Sequence, residues 1–553
     1  MQANSVPPGK QPEAEPQPTN AKSPSLGKTF SLVGILTTFS KFLGFARDII
    51  VFHAYGAGYI TDAYNYASLL TANILILFGG LGGPFHQSTV AVIEPRKEDA
   101  GVGKLIFQLV SITALVLSVI TLLIYCATPY LVTALSRLPS TSTEPKLWTN
   151  MAMQLQIMLP LILISGVIGI LYGISNVYGE FKWPSLSPAI ASVAMIAFVL
   201  IFPDQLGLCL AYGTLVGAIL QLLAQLPATL PHMRWQFSLK PEPGAREYTS
   251  MLWPATISTS IGTLTVYVDA LFVSSIKLGP EHVGGAWTAI VNSNRLVQLP
   301  LGILLTAMLV PILPRFTQQV TERRIDDLKA EFHKGLRILW FLSLPISALL
   351  IAIPFPILQL LYQRGKFTAA DTQLFSLALV WLAPSILFYM GRDLITRVFY
   401  AHQDSKTPYR VAMVAIVLKG FLDWVFVCAW PLGVGGISLS TTLVTVFNLS
   451  ALAYWLRKKI GNLGTKRLLK PLAIMLAGSA AAGITSYFVY RWIGYGLFHL
   501  SDNDVHVRTI PLAVSLAISS ALAFAVYLAV CVICKLDEPH AVVKRFLPSK
   551  PRA

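Results

Sequence analysis

The feature that most constrains this chain is a series of long apolar segments that recurs along almost its whole length. A helix that crosses the hydrocarbon core of a bilayer needs about 20 mostly apolar residues. Since a backbone in lipid must satisfy its own hydrogen bonds, such segments predict an all-α polytopic membrane protein. About fourteen are present, near 29–54, 59–84, 103–127, 150–178, 184–202, 207–230, 248–276, 284–312, 335–361, 373–400, 409–429, 434–456, 469–493 and 509–534.

Composition excludes the other broad classes of protein. Only 12% of the 553 residues are charged and 54% are hydrophobic, whereas soluble domains carry about 25% charged residues. The mean hydropathy of +0.62 also excludes a chain that is disordered throughout. Continuous apolar runs differ from the alternating segments of about ten residues that build a β-barrel. Residues 1–28 are polar and proline-rich, which predicts a disordered tail rather than a cleaved signal peptide.

The distribution of basic residues predicts the orientation of the chain. With the N-terminal tail inside, the inside segments and their span edges carry 29 of the 42 Lys and Arg residues, and the outside loops carry 7. This asymmetry follows the positive-inside rule and favours an even number of spans with both termini in the cytoplasm. The net charge of +16 is thereby explained without a nucleic-acid partner.

Ionisable residues inside the apolar segments are the candidates for function, because charges in hydrocarbon are costly and usually face a water-filled cavity or each other. Three basic residues stand out: Lys41 and Arg47 in the first span and Arg295 in the eighth. Alternatively, Arg47 and Asp62 reach the outer interface along their side chains, or Asp48 and Asp62 simply neutralise nearby cations. The full set is Lys41, Arg47, Asp48, Asp62, Asp269, Arg295, Arg392, Asp393, Arg397, Lys419 and Asp423.

A cluster with more cations than anions predicts an anionic ligand, and guanidinium groups favour phosphate through bidentate hydrogen bonds. Close to it in sequence lies FGGLGGPF, residues 78–85, with four glycines and one proline. Such a stretch is expected to break the second span and to expose backbone, as broken helices do at transporter sites. A simple kink is the alternative.

A second group of charges has two interpretations. Lys419 and Asp423 are four residues apart and share a helix face, while Asp269 lies in the middle of the seventh span. Carboxylates on separate helices could bind a monovalent cation or a proton. Lys419 could instead supply the positive charge permanently, and we favour this internal salt bridge. On the tenth span, Arg392 and Arg397 beside Asp393 are interpreted as structural.

The motifs that signal enzymatic chemistry are absent from the sequence. No GxxxxGK[ST] loop, HExxH, GxSxG or paired Cys/His set occurs. We therefore expect a transporter rather than an enzyme, with no metal site and no cofactor. Energy is then expected to come from the membrane potential or from a monovalent cation.

Four motifs resemble, in order and spacing, those of the MurJ (MviN) family of lipid II flippases. FSKFLGFARDIIVFHAYGAGYITD, residues 39–62, is similar to the family's GFARD, FGAG and TDAF pattern. NSNRLVQLPLGIL (292–304) is similar to the ADR segment of the eighth span. YQRGKFTAAD (362–371) matches the family's YGKFT.D loop, and FYAHQDSKTP (399–408) resembles FYSRQDTKTP.

The resemblance implies a fold and a substrate. The family belongs to the multidrug/oligosaccharidyl-lipid/polysaccharide exporter superfamily, whose members have two pseudo-symmetric six-helix lobes around a cationic cavity. Two more helices follow and form a lipid groove. The implied substrate is lipid II, undecaprenyl-diphosphate-linked muropeptide, moved from the inner to the outer leaflet by alternating access. Family cavity residues then correspond to Lys41, Arg47 and Arg295, with Asp62 as the functional acid.

With this resemblance, the spans divide the chain into six parts. The parts are a cytoplasmic tail (1–28), an N-lobe (29–230), a cytoplasmic linker (231–247), a C-lobe (248–456), a final pair of helices (469–534) and a second tail (535–553). The longest polar connection, near 313–334, predicts an amphipathic surface helix.

Four departures from the family pattern concern the site. Lys41 stands where the family has arginine, and the family's second-span arginine and acid are replaced around Ile76, Leu77 and Leu81. Asn294 stands where the acid of ADR lies. His86 or Gln298 is a further candidate hydrogen-bond donor to the substrate.

The sequence therefore predicts a lipid II flippase of the bacterial cytoplasmic membrane, surrounded by membrane lipids. A flippase for another polyprenyl-diphosphate-linked glycan is the second hypothesis. A non-transporting scaffold that recruits cell-wall synthesis proteins is the third. A cation-coupled drug exporter is the fourth, and the cationic cavity opposes it because it repels cationic drugs.

Overall fold

The computed structural model describes residues 26–71, 83–136, 145–236, 242, 244–278, 284–309, 312–464, 466–500 and 508–539. Within these ranges the regular structure is helical and contains no strand, which confirms the all-α prediction. The α-helices are α1 Leu26–Tyr55, α2 Tyr59–Leu70, α3 Pro84–Ile93, α4 Val102–Ser136, α5 Pro145–Met158, α6 Leu161–Val177, α7 Lys182–Ile201, α8 Leu208–Thr229, α9 Ala245–Val273, α10 Ala286–Leu309, α11 Ile312–Thr321, α12 Ile325–Ala352, α13 Pro354–Tyr362, α14 Ala369–Leu382, α15 Ser385–Ala401, α16 Lys406–Trp424, α17 Gly433–Ile460, α18 Lys466–Tyr490 and α19 Thr509–Ile533.

Nine helical segments in the described part of the chain are long and apolar enough to cross a membrane. The pair α14 and α15, bent by 44° at their junction, makes a tenth. Predicted spans one, seven and eight correspond to the helices α1, α9 and α10, which are outside this count. Most of the glycine-rich stretch of the second span, 72–82, lies outside the described residues. The count of fourteen therefore stays a prediction.

Prolines divide two of the predicted spans into separate helices. The ninth span ends at Ala352, and Pro354 begins α13 after the non-helical residue Ile353. The tenth span is broken between Leu382 and Ser385, beside Pro384. A proline lacks the N–H that continues a helix, so a span that contains one can bend there.

The polar connection between the eighth and ninth spans also differs from the prediction. The amphipathic helix α11 occupies Ile312–Thr321 and buries Ile312 and Phe316. A turn then separates it from α12, because Arg323 adopts a positive φ of 56°. The prediction of one surface helix over 313–334 is thus wrong: its second half, from Ile325, is the start of the long helix α12.

Helices α1 to α8 pack mainly on one another and form the N-lobe. Helix α1 lies against α7, α7 against α8, α2 against α5, and α6 against α3, α4 and α8. Small residues allow the closest approach: a Cβ atom on Gly213 or Gly217 of α8 would lie 3.0 Å from the Cα atom of Met195 or Ala191 of α7. Such spacing of small residues is typical of helix contacts in membranes.

The C-lobe is built around α17, which packs against α14, α15 and α16, while α10 packs against α14 and α12 against α15. Helix α9 lies against α16 and also against α3 of the N-lobe. The final pair, α18 and α19, is attached to the C-lobe through α12. The Tyr527 hydroxyl donates to the Phe341 carbonyl at 2.9 Å, and Arg337 pairs with Glu538.

The FYAHQDSKTP segment contains the start of α16, and one carboxylate, that of Asp404, stabilises this start. Asp404 accepts hydrogen bonds from the backbone N–H and hydroxyl of Thr407, each at 3.0 Å, and Lys459 Nζ lies 2.6 Å from its Oδ2. Burial alone raises the pKa of Asp404, but Lys459 and Thr407 outweigh burial and lower that pKa to about 2. Asp404 therefore joins the start of α16 to the end of α17.

We predict that Asp404→Ala lowers the melting temperature of the detergent-solubilised protein by about 2 °C, because losing such a cap costs roughly 1 kcal/mol. The carboxyl has a lower pKa in the folded state than in the unfolded state. Its contribution is therefore complete above about pH 4 and is lost as the pH falls towards 2. Scanning fluorimetry should find the same deficit at about pH 7 and about pH 5.

Asp327→Ala is the control for this measurement. Its carboxylate is 58% exposed and lies 3.5 Å from Arg324, so its removal should change stability little. Equal losses for both variants would contradict a specific role for Asp404.

Candidate functional site

The predicted cations lie on two facing helices, one from each lobe. Arg47 and Asp48 are about 12 Å from the C-terminal end of α1, and Arg295 is at a similar distance from the start of α10, at 1.5 Å per residue. Lys41 lies seven residues before Asp48 and therefore shares its helix face. The spacing along each helix sets these distances, and the lobe packing brings the two helices together.

One carboxylate joins both arginines. Asp48 Oδ1 lies 2.8 Å from a terminal nitrogen of Arg47, and Asp48 Oδ2 lies 3.1 Å from a terminal nitrogen of Arg295. Arg295 also donates to Asn292 Oδ1 at 3.3 Å. Two guanidiniums thus share one carboxylate, which leaves one formal positive charge in the group.

This ion-pair group is open on one side. The Arg47 and Asp48 side chains are 25% and 13% exposed, while Arg295, in mid-helix, is 45% exposed. An intramembrane charge needs water or a partner. Arg295 has Asp48 and Asn292 as partners and still keeps exposed surface. Asp48 was considered from the sequence only as a neutralising residue, and the structure places it at the centre of the cluster.

Lys41 lies about two turns before Asp48, towards the N-terminal end of α1. Its side chain is exposed. A Cβ atom on Gly302 of α10 would lie 3.2 Å from Lys41 Nζ, so the ammonium sits against the partner lobe where no side chain intervenes. Lys41, Arg47 and Arg295 are therefore brought together where α1 meets α10, and their role in binding a substrate stays a prediction.

The structure does not bring Asp62 to these cations. Asp62 is 4% exposed and lies in the first turn of α2. Its two carboxylate oxygens accept hydrogen bonds from the backbone of Gly285 and Thr288, both at 2.7 Å, and from the Thr288 hydroxyl at 2.6 Å. These donors belong to the first turn of α10, so Asp62 caps a helix of the opposite lobe.

Asp62 is part of a larger contact between the lobes, here called the outer contact because the predicted orientation places it on the outer side. The turn Gly56–Gly58 packs against Gly284 and Gly285: a Cβ atom on Gly285, whose φ is +102°, would lie 2.3 Å from the Ala57 carbonyl oxygen. On the other side of the Gly56–Gly58 turn, the backbone N–H of Lys366 donates to the His53 carbonyl at 3.0 Å. The glycines are required because the two backbones touch.

Aromatic rings complete this outer contact. Phe52 of α1 packs on Tyr362, Phe367 and Phe375, with ring centroids 5.0 to 5.6 Å apart. Thr368 and Asp371 form a capping box that starts α14 and fixes the loop. The YQRGKFTAAD motif therefore holds the C-lobe side of the contact together, a role that the resemblance alone did not identify.

The second group of charges is enclosed within the C-lobe. Lys419 Nζ lies 2.6 Å from Asp269 Oδ1 and 2.8 Å from Asp423 Oδ1. The Lys419 side chain is 2% exposed, and that of Asp423 is fully buried. The geometry agrees with the internal salt bridge, and it adds two partners on α17, Ser440 and the Ile437 carbonyl, that spacing along α16 does not reveal.

Other candidate residues have partners of their own. Arg392 pairs with Asp393 at 2.7 Å and lies over the Tyr389 ring, as expected of a structural pair. His86 lies 2.6 Å from an Asn176 side-chain nitrogen, and Gln298 donates to Asn294 at 3.2 Å. Within the described ranges, no cluster of three or more His, Cys, Asp or Glu residues forms a metal site.

An apolar groove opens between the C-lobe and the final helix pair. Helices α12, α15 and α18 line a space of about 530 Å³. Ala348, Leu387, Ala480, Gly483 and Phe488 are among its walls. Such a surface suits an acyl or polyprenyl chain better than a polar ligand.

Known proteins are similar to this chain in both sequence and fold. The family described as "Lipid II flippase MurJ" matches residues 51–503 of the chain. A Synechocystis sp. protein named "Probable lipid II flippase MurJ" is 29% identical over 531 residues, 92% of this chain and 96% of that protein. The "Lipid II flippase MurJ" of Burkholderia cenocepacia is 26% identical over 449 residues, 79% of this chain and 84% of that protein.

Two solved structures have the same fold at low sequence identity. "Lipid II flippase MurJ, inward closed conformation" aligns with a TM-score of 0.72 and 21% identity, over 91% of this chain and 98% of that one. A multidrug resistance MATE family transporter of the MOP superfamily aligns with a TM-score of 0.62 and 16% identity, over 76% and 95% of the chains. Since the family match extends from α1 to beyond α18, this multi-pass membrane protein belongs to the family of lipid II flippases described as MurJ.

Proposed function

We propose that the protein moves lipid II from the inner to the outer leaflet of the bacterial cytoplasmic membrane. The observation that carries this proposal is the group of Lys41, Arg47 and Arg295 on the facing helices α1 and α10. Lipid II is the molecule named in the family description and in the names of the relatives. Its diphosphate is an anion that such a group can bind.

The charges suit a diphosphate in number and geometry. Asp48 neutralises one of the two guanidiniums, so the second and the Lys41 ammonium remain to bind anionic oxygens. Arg295 is the more exposed of the two arginines, so its guanidinium can donate two parallel hydrogen bonds to phosphate oxygens. The loss of the family's acid at Asn294 leaves this positive charge uncompensated, which favours an anionic ligand further.

The polyprenyl tail is proposed to stay in apolar surroundings. The groove between α12, α15 and α18 is wide enough and apolar enough to hold part of it. The head group would then occupy the cationic space while the tail remains in the groove or in the surrounding lipid. No cofactor is part of this proposal.

Alternating access requires the outer contact between the lobes to open. In the described conformation Asp62 and the glycine turns hold the outer ends together, so a lipid head group could enter only from the cytoplasmic side. Both termini are proposed to lie in the cytoplasm, in accordance with the distribution of Lys and Arg. The membrane potential, at about 2.3 kcal/mol per charge per 100 mV, can bias the reorientation of a charged cavity.

Complementation tests the function. In a bacterium depleted of its own lipid II flippase, the wild-type chain should restore growth, while Arg47→Ala and Arg295→Ala should not, because each removes a phosphate-binding guanidinium. All variants are compared at matched membrane expression. Arg392→Ala is the control, since it removes an intramembrane arginine that pairs with Asp393 and not with Asp48.

The other outcomes separate the alternatives. Rescue by all variants would support a scaffold that recruits cell-wall enzymes, which does not need the cluster. Failure of well-expressed wild-type protein would overturn lipid II as the substrate and favour another polyprenyl-diphosphate-linked glycan.

A second prediction concerns the outer contact. Asp62→Asn replaces one acceptor oxygen with an amide that faces backbone donors, so the contact should weaken and the outer side should open more often. A cysteine at the exposed position Gln298, in a background without native cysteines, should then react faster with a thiol reagent added from outside. We expect an increase of about fivefold or more, since one lost charged hydrogen bond changes an equilibrium by that order.

Asp204→Asn is the matched control. Asp204 also caps a helix start, accepting from Leu206, Leu208 and Cys209 at 2.7 to 3.0 Å, but all these residues lie within the N-lobe. The two variants should lose similar stability, and only Asp62→Asn should change the labelling rate. Equal labelling in both would contradict a gating role for Asp62.

A further inference from the structure

The enclosed ammonium of Lys419 is surrounded as a bound cation would be. Four oxygen atoms contact Lys419 Nζ: Asp269 Oδ1 at 2.6 Å, Asp423 Oδ1 at 2.8 Å, Ser440 Oγ at 2.9 Å and the Ile437 carbonyl oxygen at 3.3 Å. Carboxylate, hydroxyl and main-chain carbonyl oxygens are the ligands with which membrane proteins also hold Na⁺ and K⁺.

The four ligands come from three helices, of which α9 is distant in sequence from the consecutive helices α16 and α17. Asp269 belongs to α9, Asp423 to α16, and Ile437 and Ser440 to α17. The Ser440 hydroxyl donates to Asp423 Oδ1 at 2.5 Å, which leaves its lone pairs available to the ammonium. A single positive charge therefore holds together three helices of the C-lobe.

The local backbone favours such a site. Immediately after α16, residues Val425–Ala429 form a π-helical turn, a distortion that is often found at functional positions. Gly436 faces that turn: a Cβ atom there would lie 2.8 Å from the Phe426 carbonyl oxygen. This close approach brings the start of α17, with Ile437 and Ser440, next to Asp423.

The charges require a cation at this position. Asp269 and Asp423 would be two carboxylates within one buried site if Lys419 were absent, and buried like charges are strongly unfavourable. The ammonium is compact and carries three donors, so it can serve several oxygen atoms at once. Because the ammonium is covalently attached to the chain, the site stays occupied whatever ions are in solution.

We propose that Lys419 is a built-in monovalent cation of the C-lobe, which occupies the place of an exchangeable Na⁺ or K⁺ ion. The wild-type protein accordingly needs no particular monovalent cation to hold this site together. Removing the ammonium and its stem creates a vacant site of four oxygen ligands, which small cations should then fill. The proposal concerns the site itself, and its bearing on transport rests on the proposed function.

Thermal stability of the purified full-length protein in detergent tests this directly. The wild type should melt at the same temperature in sodium, potassium and choline chloride at equal ionic strength. Lys419→Ala should melt at least about 3 °C higher in sodium or lithium chloride than in choline chloride, with a saturable dependence on the small cation. Methylammonium, which resembles the end of the missing side chain, should also raise its melting temperature.

Lys419→Met is the matched control. Methionine fills much of the space of the lysine side chain without its charge, so this variant should lose stability and gain little from sodium. A sodium-dependent rise in the wild type that Asp269→Asn abolishes would overturn the proposal, since it would show an exchangeable ion beside Lys419. The unpartnered, buried Asp423 Oδ2 is where such an ion would bind among the described residues.

The wild-type titration decides the matter even if Lys419→Ala does not fold. The proposal is likewise refuted if folded Lys419→Ala responds to sodium no more than Lys419→Met. These measurements do not depend on transport. Failure of wild-type complementation would overturn the proposed function alone, whereas an ion requirement of the wild type would overturn the role of Lys419 alone.

Growth supplies the functional arm. Cells that depend on Lys419→Ala should grow better in sodium-rich than in sodium-poor medium, while cells that depend on the wild type should grow equally in both. Sodium dependence in the wild type alone would contradict the proposal.

Discussion

The structure depends on one constraint, which is that a charge within the membrane must have a partner or reach water. The chain meets it in two ways. In the C-lobe, Lys419 is enclosed by oxygen atoms from three helices and is closed to solvent. Between the lobes, Asp48 serves two arginines at once and leaves Arg295 partly exposed. The first arrangement stabilises a lobe, and the second leaves an exposed positive charge, which the proposed function requires.

The sequence motifs have two different roles, in the charged cluster and in the outer contact between the lobes. The GFARD segment supplies the charged cluster, while the GAG turn and the YQRGKFTAAD loop hold the outer ends of the lobes together. Glycine is needed there because backbone touches backbone, at Gly285 against Ala57 most closely. Motifs that resemble one family pattern therefore encode two different structural features, a charged cluster and a contact between the lobes that the proposed function requires to open.

The departures from the family pattern fit this division. Lys41 in place of arginine keeps the charge and lies against Gly302, where a compact ammonium has room. Asn294 in place of the acid removes a negative charge from the helix that carries Arg295, and its side chain now accepts a hydrogen bond from Gln298. The positive charge of the cluster is thereby retained with fewer charged groups.

The sequence by itself determined the helical membrane fold and most of the spans, and it singled out Lys41, Arg47 and Arg295, because apolar length and unpaired charge are properties of local sequence. Its spacing also predicted the pairing of Lys419 with Asp423, one helix turn apart. Only the tertiary structure decided that Asp48 is shared across the lobes and that Asp62 caps α10 instead of joining the cations. It alone placed Asp269 and Ser440 around Lys419. These contacts join residues that are far apart in the chain, and only the packing of whole helices brings them within hydrogen-bond distance.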